Sequence, residues 1–261
     1  MQTIEFNVPS SAVNYILFQR SRYLKSPNSW LYRVLRKVLP FPIFNPTVAL
    51  EAKLRPGPIK PLYAADMKSE FETIREALPE RCRAFLDIGC GVAGIDAFLH
   101  RHYAAQNPTV HLLVRIEAER NVLNKMNPRA AFRHSLESPK FLLLQKGVPP
   151  HRINLLEATG QYDMEIDGSA DLVLSPISWG FHYPVENYLD RVYQLFIPRG
   201  ALILDVRSGS GGVAALRGRL NTNDVILEGN KFHQRLATKW SPDRLREGCS
   251  SIDPAQRSKR S

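Results

Sequence analysis

Cysteine is scarce in this sequence, which contains three among its 261 residues. Cys82, Cys90 and Cys249 are odd in number and lack the spacing of metal ligands, so we expect neither a disulfide framework nor a cysteine-based metal site. Long apolar runs are missing as well. No window approaches ~18 uninterrupted apolar residues, and the N-terminus has no basic region followed by an apolar stretch. These absences predict a soluble protein of a reducing compartment, the cytoplasm.

Acidic residues are few at the two ends of the chain. Residues 1–60 carry nine Lys and Arg side chains against Glu5 and Glu51, and residues 231–261 carry eight against three acids. The formal charge of +10 therefore resides at the ends, while the middle is close to neutral. Basic ends can attract phosphate, anionic lipid or nucleic acid, although basic ends that only aid solubility are equally common.

Length and composition favour one main domain with a smaller appendage. The chain is 44% hydrophobic, enough for one substantial core. Six prolines lie between Pro40 and Pro61, where each would interrupt a helix or a central strand. We therefore predict a basic helical cap with a proline-rich linker at 1–65, the main domain at 66–240, and a basic, disordered tail at 241–261.

One amphipathic helix is predicted before the linker, beginning at Asn28 or Ser29. Its apolar face consists of Leu31, Val34, Leu35, Val38 and Leu39, and its opposite face of Arg33, Arg36 and Lys37. The apolar stripe needs a partner. The favoured partner is the main domain, which would make the segment a cap over one end of the sheet. The alternative is a membrane surface, bound by a basic amphipathic helix.

Helical and strand patterns alternate from Asp66, which is expected to cap the first helix of the main domain. Short connections between alternating helices and strands are typical of a parallel α/β sheet. Two final strand-like runs meet across Gly229-Asn230, a pair suited to a hairpin. Buried strands are predicted at 84–88, 110–114, 153–156, 171–174 and 201–206, before the runs at 225–228 and 232–237.

A glycine loop follows the first of these strands, with glycines at its first, third and sixth positions. Gly89 permits the tight turn, Gly91 removes a Cβ that would block a cofactor, and Gly94 allows close packing of the next helix. That spacing alone suits a nicotinamide enzyme equally well. Asp87 discriminates, because a carboxylate at this point repels nucleotide phosphates and attracts a cofactor that carries a sulfonium and an ammonium.

The pattern hydrophobic-Asp-hydrophobic-Gly-x-Gly-x-x-Gly resembles motif I of class I S-adenosylmethionine (SAM) dependent methyltransferases, and the resemblance spans about residues 66–239. It implies SAM as the cofactor and a Rossmann-like, seven-stranded methyltransferase sheet with helices on both faces and an antiparallel last strand. It also implies that Gly89 and Gly91 line the methionine part of SAM, with Asp87 nearby. Cys90 and Gly94 complete the implied cofactor loop.

The second strand departs from the family pattern. A carboxylate usually ends that strand and binds the ribose hydroxyls of SAM, whereas this sequence has Val114 there. Either Glu117 substitutes from the following loop, or the ribose contact is missing and Glu117 is an ordinary solvated acid. A lost charge-assisted hydrogen bond costs ~1.5–3 kcal/mol, so the departure indicates a weakened enzyme or a non-catalytic relative. Glu157, after the third strand, resembles the acid that borders the adenine, although surface acids are commoner.

The fourth strand leads into an aromatic segment, at an edge of the sheet where ligands bind. Trp179, Phe181 and Tyr183 can present electron-rich faces to a methylsulfonium, and His182 can remove a proton from a hydroxyl acceptor. We therefore assign His182 and Tyr183 as catalytic candidates, and Ser175 and Trp179 as cofactor contacts. The structural alternative is an aromatic cluster that seals the sheet, with His182 merely hydrogen-bonded.

The run Ser-x-x-Ser-Trp-Gly-Phe-His-Tyr-Pro, with Tyr188 and the Leu204–Arg207 segment after it, resembles a group of bacterial methyltransferase-like proteins associated with sugar or small-molecule O-methylation. Asp205 and Arg207 either contact the substrate or form a salt bridge. The Asn/Asp-Pro-Pro-Tyr arrangement of amino-group methylation is absent, which disfavours amide and nucleobase nitrogens as acceptors.

The leading hypothesis is methyl transfer from SAM to a hydroxyl of a small-molecule or carbohydrate acceptor. A nucleic-acid methyltransferase is favoured by the basic ends, and is opposed by the absent amino-methylation motif and the near-neutral core. A non-catalytic member of the fold that has lost SAM binding is favoured by Val114. A nicotinamide oxidoreductase comes last, because Asp87 does not suit it.

Overall fold

A seven-stranded sheet forms the centre of the computed structural model, which describes residues 10–26, 29–39, 43–114, 128–157, 164, 166, 168–220 and 225–239. The strands are β1 (Ala84–Ile88), β2 (Thr109–Val114), β3 (Ile153–Glu157), β4 (Ala170–Ser175), β5 (Ser178–Tyr183), β6 (Phe196–Arg207), β7 (Val225–Gly229) and β8 (His233–Lys239). Their order in the sheet is β3-β2-β1-β4-β6-β8-β7, and β5 packs beside β6 outside this order.

Helices cover both faces of the sheet. They are α1 (Ser10–Gln19), α2 (Trp30–Val38), α3 (Phe44–Leu54), α4 (Pro56–Ile74), α5 (Gly94–His102), α6 (Pro128–Gln145), α7 (Glu186–Leu195) and α8 (Gly212–Leu220). One core joins Phe85 of β1 to α1, α3, α4, α5 and α6, and a second core joins Leu86 and Ile88 to α7 and α8. Successive strand residues face opposite sides, and a parallel sheet must be covered on both. The predicted fold class is confirmed.

The antiparallel strand lies where the sequence predicts it, at the end of the chain's β region. β1 pairs in parallel with β2 and β4, β2 with β3, and β4 with β6, whereas β8 runs antiparallel between β6 and β7. In the turn between β7 and β8, the Asn230 carbonyl Oδ1 accepts hydrogen bonds from the backbone N–H groups of Phe232 and His233. A side chain that closes its own turn is typical of asparagine. The hairpin prediction is confirmed.

The proline-dense stretch is helical, so the predicted linker is wrong. Pro46 is the third residue of α3, while Pro56 and Pro58 are the first and third residues of α4. Proline is tolerated in a first helical turn because the backbone N–H groups there have no partner within the helix. Pro61 alone lies inside α4. Asp66 lies in the middle of this helix rather than at its cap, and the predicted division at residue 65 falls within it.

The amphipathic helix forms as predicted, but its apolar stripe is not covered. Ser29 is its N-cap, and the Ser29 Oγ accepts a hydrogen bond from the Tyr32 N–H at 3.1 Å. No residue of α2 is buried, and Leu31, Val34 and Val38 remain 50%, 45% and 73% exposed. The expectation that this stripe packs on the main domain is wrong. The other N-terminal helices, α1, α3 and α4, do contribute to the core.

A buried ion pair ties the antiparallel strand to its neighbours. Arg235 of β8 donates from Nε to Asp205 Oδ1 at 2.7 Å and from Nη2 to Asp205 Oδ2 at 2.8 Å, and its Nη1 donates to Thr73 Oγ1 of α4 at 2.9 Å. Both charged side chains are at most 3% exposed. Asp205 therefore forms a salt bridge rather than facing the solvent edge, and its partner is Arg235 rather than Arg207.

We expect Arg235→Met to lower the free energy of unfolding by about 3–5 kcal/mol, because it leaves the Asp205 carboxylate buried without its counter-charge. Urea unfolding monitored by circular dichroism measures this loss. Arg75→Met is the matched control. It breaks a half-exposed pair with Glu72 and should cost less than about 1 kcal/mol. Equal losses in the two variants would contradict the assignment.

Candidate functional site

A cavity of about 360 Å³ opens at the carboxyl ends of β1 and β4. Its volume lies in the range of small-molecule sites. The wall consists of the glycine loop, the turn from β4 into β5, the end of α1 and one face of α4. Six of the eleven predicted site residues line it, namely Asp87, Gly89, Cys90, Gly91, Gly94 and, from β5, His182.

Side chains from neighbouring helices lie close to the backbone of the glycine loop. Gly91 has a φ of +60°, and a Cβ added there would lie 2.8 Å from the side-chain Oε1 of Gln19. A Cβ at Gly94 would overlap the Tyr63 hydroxyl and the side chain of Met67. The two glycines therefore serve different purposes. Gly94 lets α5 pack against α4, whereas Gly91 keeps open a part of the cavity wall next to the end of α1.

The N-terminal helices supply one side of the cavity, through residues that the sequence does not identify. Gln19, Arg20 and Arg22 reach it from α1 and the turn after it, and α4 adds Tyr63, Met67 and Glu70. The three α4 residues are spaced at i, i+4 and i+7, which places them on one helical face. The sequence does carry one signal for this wall: the acid Glu70 lies on the same helical face as Met67 and the core residue Phe71.

Ion pairs hold α1 against α4 at this wall. Arg20 Nη2 lies 2.6 Å from Glu70 Oε1, and Arg20 Nη1 lies 3.5 Å from Asp66 Oδ2. Arg22 and Tyr23 also donate hydrogen bonds to Asp66. The N-terminal segment, predicted as a cap over one end of the sheet, therefore contributes to the cavity wall.

Two carboxyl groups are buried beneath the glycine loop. Asp87 is 1% exposed and Asp96, in the first turn of α5, is fully buried. Within the described part of the chain, Asp87 Oδ1 and both oxygens of Asp96 have no hydrogen-bond donor other than each other, and the two carboxyls share a hydrogen bond only when one of them holds a proton. Burial raises the pKa of both groups, and the nearby charges of Asp96 and Glu70 raise the pKa of Asp87 further. This part of the site favours a proton or a cation.

The turn between β4 and β5 is strained, and a hydrogen bond to a buried carboxylate holds it in place. Ile177 has a φ of 52°, a left-handed conformation that is costly for a β-branched residue. Its N–H donates a hydrogen bond to Asp205 Oδ2 at 3.1 Å. The buried ion pair of Asp205 thereby fixes the turn that carries Pro176, Ile177 and Ser178 into the cavity wall.

Ser175 has a structural position rather than one on the cavity wall. It is fully buried, its Oγ donates to the Ile88 carbonyl at 2.6 Å, and the same Oγ accepts from the Trp179 N–H at 2.9 Å. These bonds join the ends of β1 and β4. The predicted cofactor contact of Ser175 is corrected to a role in holding the two strand ends together.

Trp179 and Tyr183 do not line the cavity in the described structure. The Trp179 indole is fully buried in the core beside α7, where its Nε1 donates to the Val185 carbonyl at 2.8 Å and its edge meets Tyr188. Residues 178–183 form a strand, so Ser178 and His182 share one side and Trp179 and Tyr183 the other. Trp179 and Tyr183 therefore do not form the predicted aromatic wall around a methylsulfonium in this cavity.

His182 is the titratable side chain on the β5 side of the cavity. Partial burial lowers its pKa, and the positive charge of Arg207 lowers it further. The ring is therefore neutral at neutral pH and can accept a proton. Arg207 itself lies 5.3 Å from the centre of the Phe181 ring, at the edge of the site.

Glu157, the acid predicted to border the adenine, does not line the described cavity. Glu157 ends β3 with an exposed side chain, opposite Val114 in the β2–β3 register. Val114 is buried and ends β2, so no carboxylate ends that strand. Glu117 lies outside the described residues, and its role stays a prediction.

No model of a known protein family matches this chain, and no curated protein sequence matches it. Solved methyltransferase structures do. A putative O-methyltransferase from Nostoc punctiforme is 14% identical with a TM-score of 0.49, over 87% of this chain and 72% of that one. A methyltransferase from Pyrococcus furiosus is 14% identical with a TM-score of 0.47, over 67% and 83%. An O-methyltransferase from Streptomyces achromogenes, in complex with SAM, is 15% identical with a TM-score of 0.44, over 68% and 80%.

The buried carboxyl pair predicts a pH-dependent stability. Because folding raises both pKa values, the folded state holds protons more tightly than the unfolded chain, so the pair stabilises the fold at low pH and loses that contribution as the pH rises through the raised values. We expect Asp96→Asn to raise the melting temperature more at about pH 8.5 than at about pH 5. Differential scanning fluorimetry measures this, with the exposed Glu76→Gln as control. An identical shift at both pH values would contradict it.

Proposed function

We propose that this chain is a SAM-dependent methyltransferase that transfers a methyl group to a hydroxyl of a small-molecule or carbohydrate acceptor. The observation that carries the proposal is the buried, unpartnered Oδ1 of Asp87 at the base of a glycine-lined cavity. A buried carboxylate repels phosphate and attracts a cation. SAM carries a sulfonium and an ammonium, whereas nucleotide cofactors present phosphates.

The charges around the cavity suit an amino-acid group. Asp87 and Glu70 supply negative charge, and Arg22 together with Arg20, which pairs with Glu70, supplies positive charge from the turn after α1. We assign the ammonium of SAM to the acids, its carboxylate to the arginines, and its sulfur to the side of the open wall at Gly91. When bound, SAM supplies an electrophilic methyl group.

We assign His182 as the group that accepts the hydroxyl proton of the acceptor. Methyl transfer to a hydroxyl requires that the O–H proton leave, and a neutral imidazole on the cavity wall can accept it at a ring nitrogen. Pro176 and Ile177 add apolar surface beside it, which limits water next to the acceptor. The strained, tethered turn holds these side chains in place, and positioning is the larger part of catalysis for an in-line displacement.

A second candidate is a methyltransferase-fold protein that does not bind SAM. Val114, buried at the end of β2 where the family carries its ribose-binding acid, favours this candidate. Direct measurement of SAM binding separates the two.

We expect Gly91→Ala to weaken the binding of SAM and S-adenosylhomocysteine at least about tenfold, because the added methyl group enters the cavity wall. Isothermal titration calorimetry measures both ligands. Gly209→Ala is the matched control, since Gly209 also has a positive φ, of 76°, and its Cβ would point into open space. Both variants place alanine at a positive φ, and only the first adds a methyl group at the cavity, so only the first should lose binding. Absence of binding to the unmodified protein at about millimolar ligand would favour the second candidate.

We expect His182→Ala to lower kcat for a hydroxyl acceptor by about 10²–10⁴, the usual contribution of a positioned base. Release of S-adenosylhomocysteine measures the rate once an acceptor screen has supplied a substrate. The affinity for SAM should change less than about threefold, because another part of the cavity is assigned to the cofactor. His151→Ala, at an exposed turn, is the control. Turnover within about threefold of the unmodified protein would remove His182 as the base.

A further inference from the structure

Helix α2 exposes an apolar stripe that no described part of the chain covers. Five large apolar side chains are at least 38% exposed, namely Trp30, Leu31, Val34, Leu35 and Val38. Their spacing at i, i+1, i+4, i+5 and i+8 gathers them on one side of the helix. By contrast, α1 buries Ala12, Val13, Ile16 and Leu17 in the core. An exposed contiguous apolar face of this kind marks an interaction surface.

The opposite side of the same helix is positively charged. Arg33, Arg36 and Lys37 are all exposed, and α2 contains no acidic residue. The surrounding residues 1–60 carry nine basic side chains against two acids. A helix that combines an apolar face bordered by tryptophan with a basic polar face binds in the plane of a membrane interface.

We propose that α2 docks the protein on an anionic membrane surface. The apolar stripe enters the boundary between headgroups and acyl chains, and the three basic side chains contact anionic headgroups. With nine residues, the helix is far shorter than the ~20 needed to cross a bilayer, and no described helix has the length and apolar character to do so. The contact is therefore peripheral.

Charge decides between this occupant and a second copy of the chain. A second copy that met α2 through the apolar stripe would leave the basic side chains of both helices facing away from the contact, with no acid on either helix to pair with them. Such a contact makes no use of these charges, whereas the negative potential of an anionic lipid surface attracts them. An acidic, apolar protein surface has the same charge relation to α2 and is distinguished by the experiment.

The docking helix is close to the cavity along the chain. Trp30 follows Arg22, a residue of the cavity wall, by eight positions. A fully extended chain of that length spans at most about 28 Å. A membrane-bound α2 therefore keeps the cavity within about 28 Å of the headgroups. The docking does not depend on the proposed methyl transfer.

Vesicle flotation of the full chain tests the proposal without any cofactor. We expect the protein to float with phosphatidylcholine vesicles that contain about 30% phosphatidylglycerol, at least tenfold more than with pure phosphatidylcholine, and to be released by about 0.5 M salt. Binding should shift the fluorescence of Trp30 to shorter wavelength. A Trp30→Phe variant should keep the binding and lose the shift.

Two variants separate the apolar and the charged contributions. Leu31→Gln/Val34→Gln/Val38→Gln and Arg33→Gln/Arg36→Gln/Lys37→Gln should each reduce flotation at least about tenfold, with an unchanged melting temperature because these side chains are exposed. Lys231→Gln/Phe232→Gln, which alters an exposed basic and an exposed apolar residue elsewhere, is the control and should float normally.

Three results would overturn the proposal. These are no flotation with the anionic vesicles, flotation of both α2 variants equal to that of the unmodified protein, or flotation that salt does not affect. Analytical ultracentrifugation provides an independent check. A dimer that dissociates when the apolar side chains of α2 are replaced would assign the stripe to a second copy and would also overturn membrane docking.

Discussion

The carboxylate of Asp205 is the point on which the cavity and the fold both depend. It accepts two hydrogen bonds from Arg235 of the antiparallel strand and one from the N–H of Ile177. Arg235 extends the connection to Thr73 of α4. A strand, a strained turn and a helix are thus joined through one buried charge, and the turn and the helix each form part of the cavity wall. A buried charge of this kind is tolerated only when its hydrogen bonds are satisfied, which restricts the three elements to one arrangement.

A second group of buried carboxyls lies beneath the glycine loop of the same cavity. Asp87 and Asp96 have oxygens without partners among the described residues, and both have raised pKa values. The contrast between the two sites is informative. Asp205 uses its bonds to hold the structure, whereas Asp87 keeps its bonding capacity next to an open space. Unsatisfied polar groups are kept at functional sites because a ligand can satisfy them, which supports a cationic ligand at the glycine loop.

The sheet could be predicted from the sequence because its strands are short apolar runs between clear turn signals, as in the 84–88 segment before Gly89. The glycine loop was predicted for the same local reason. The cavity wall from α1 and α4 could not be read in this way, since Arg20 and Glu70 meet only when two distant helices pack. Dense prolines predict breaks, although Pro56 and Pro58 occupy a first helical turn. The sequence misplaces Trp179 because it shows an aromatic segment at the ligand-binding edge without showing that residues 178–183 form a strand, in which side chains alternate between two sides.

Charge also explains why the two helices near the N-terminus have different positions. Helix α1 has no charged residue, and its end closes the cavity next to Gly91. Helix α2 carries three cations in nine residues, and burying it against the core would remove those cations from water without a counter-charge. Amphipathic helices ordinarily escape this cost by burying only one face, yet α2 leaves that face exposed as well. The surface that matches both faces of α2 therefore has an apolar layer beneath an anionic layer. The boundary between lipid headgroups and acyl chains has this arrangement.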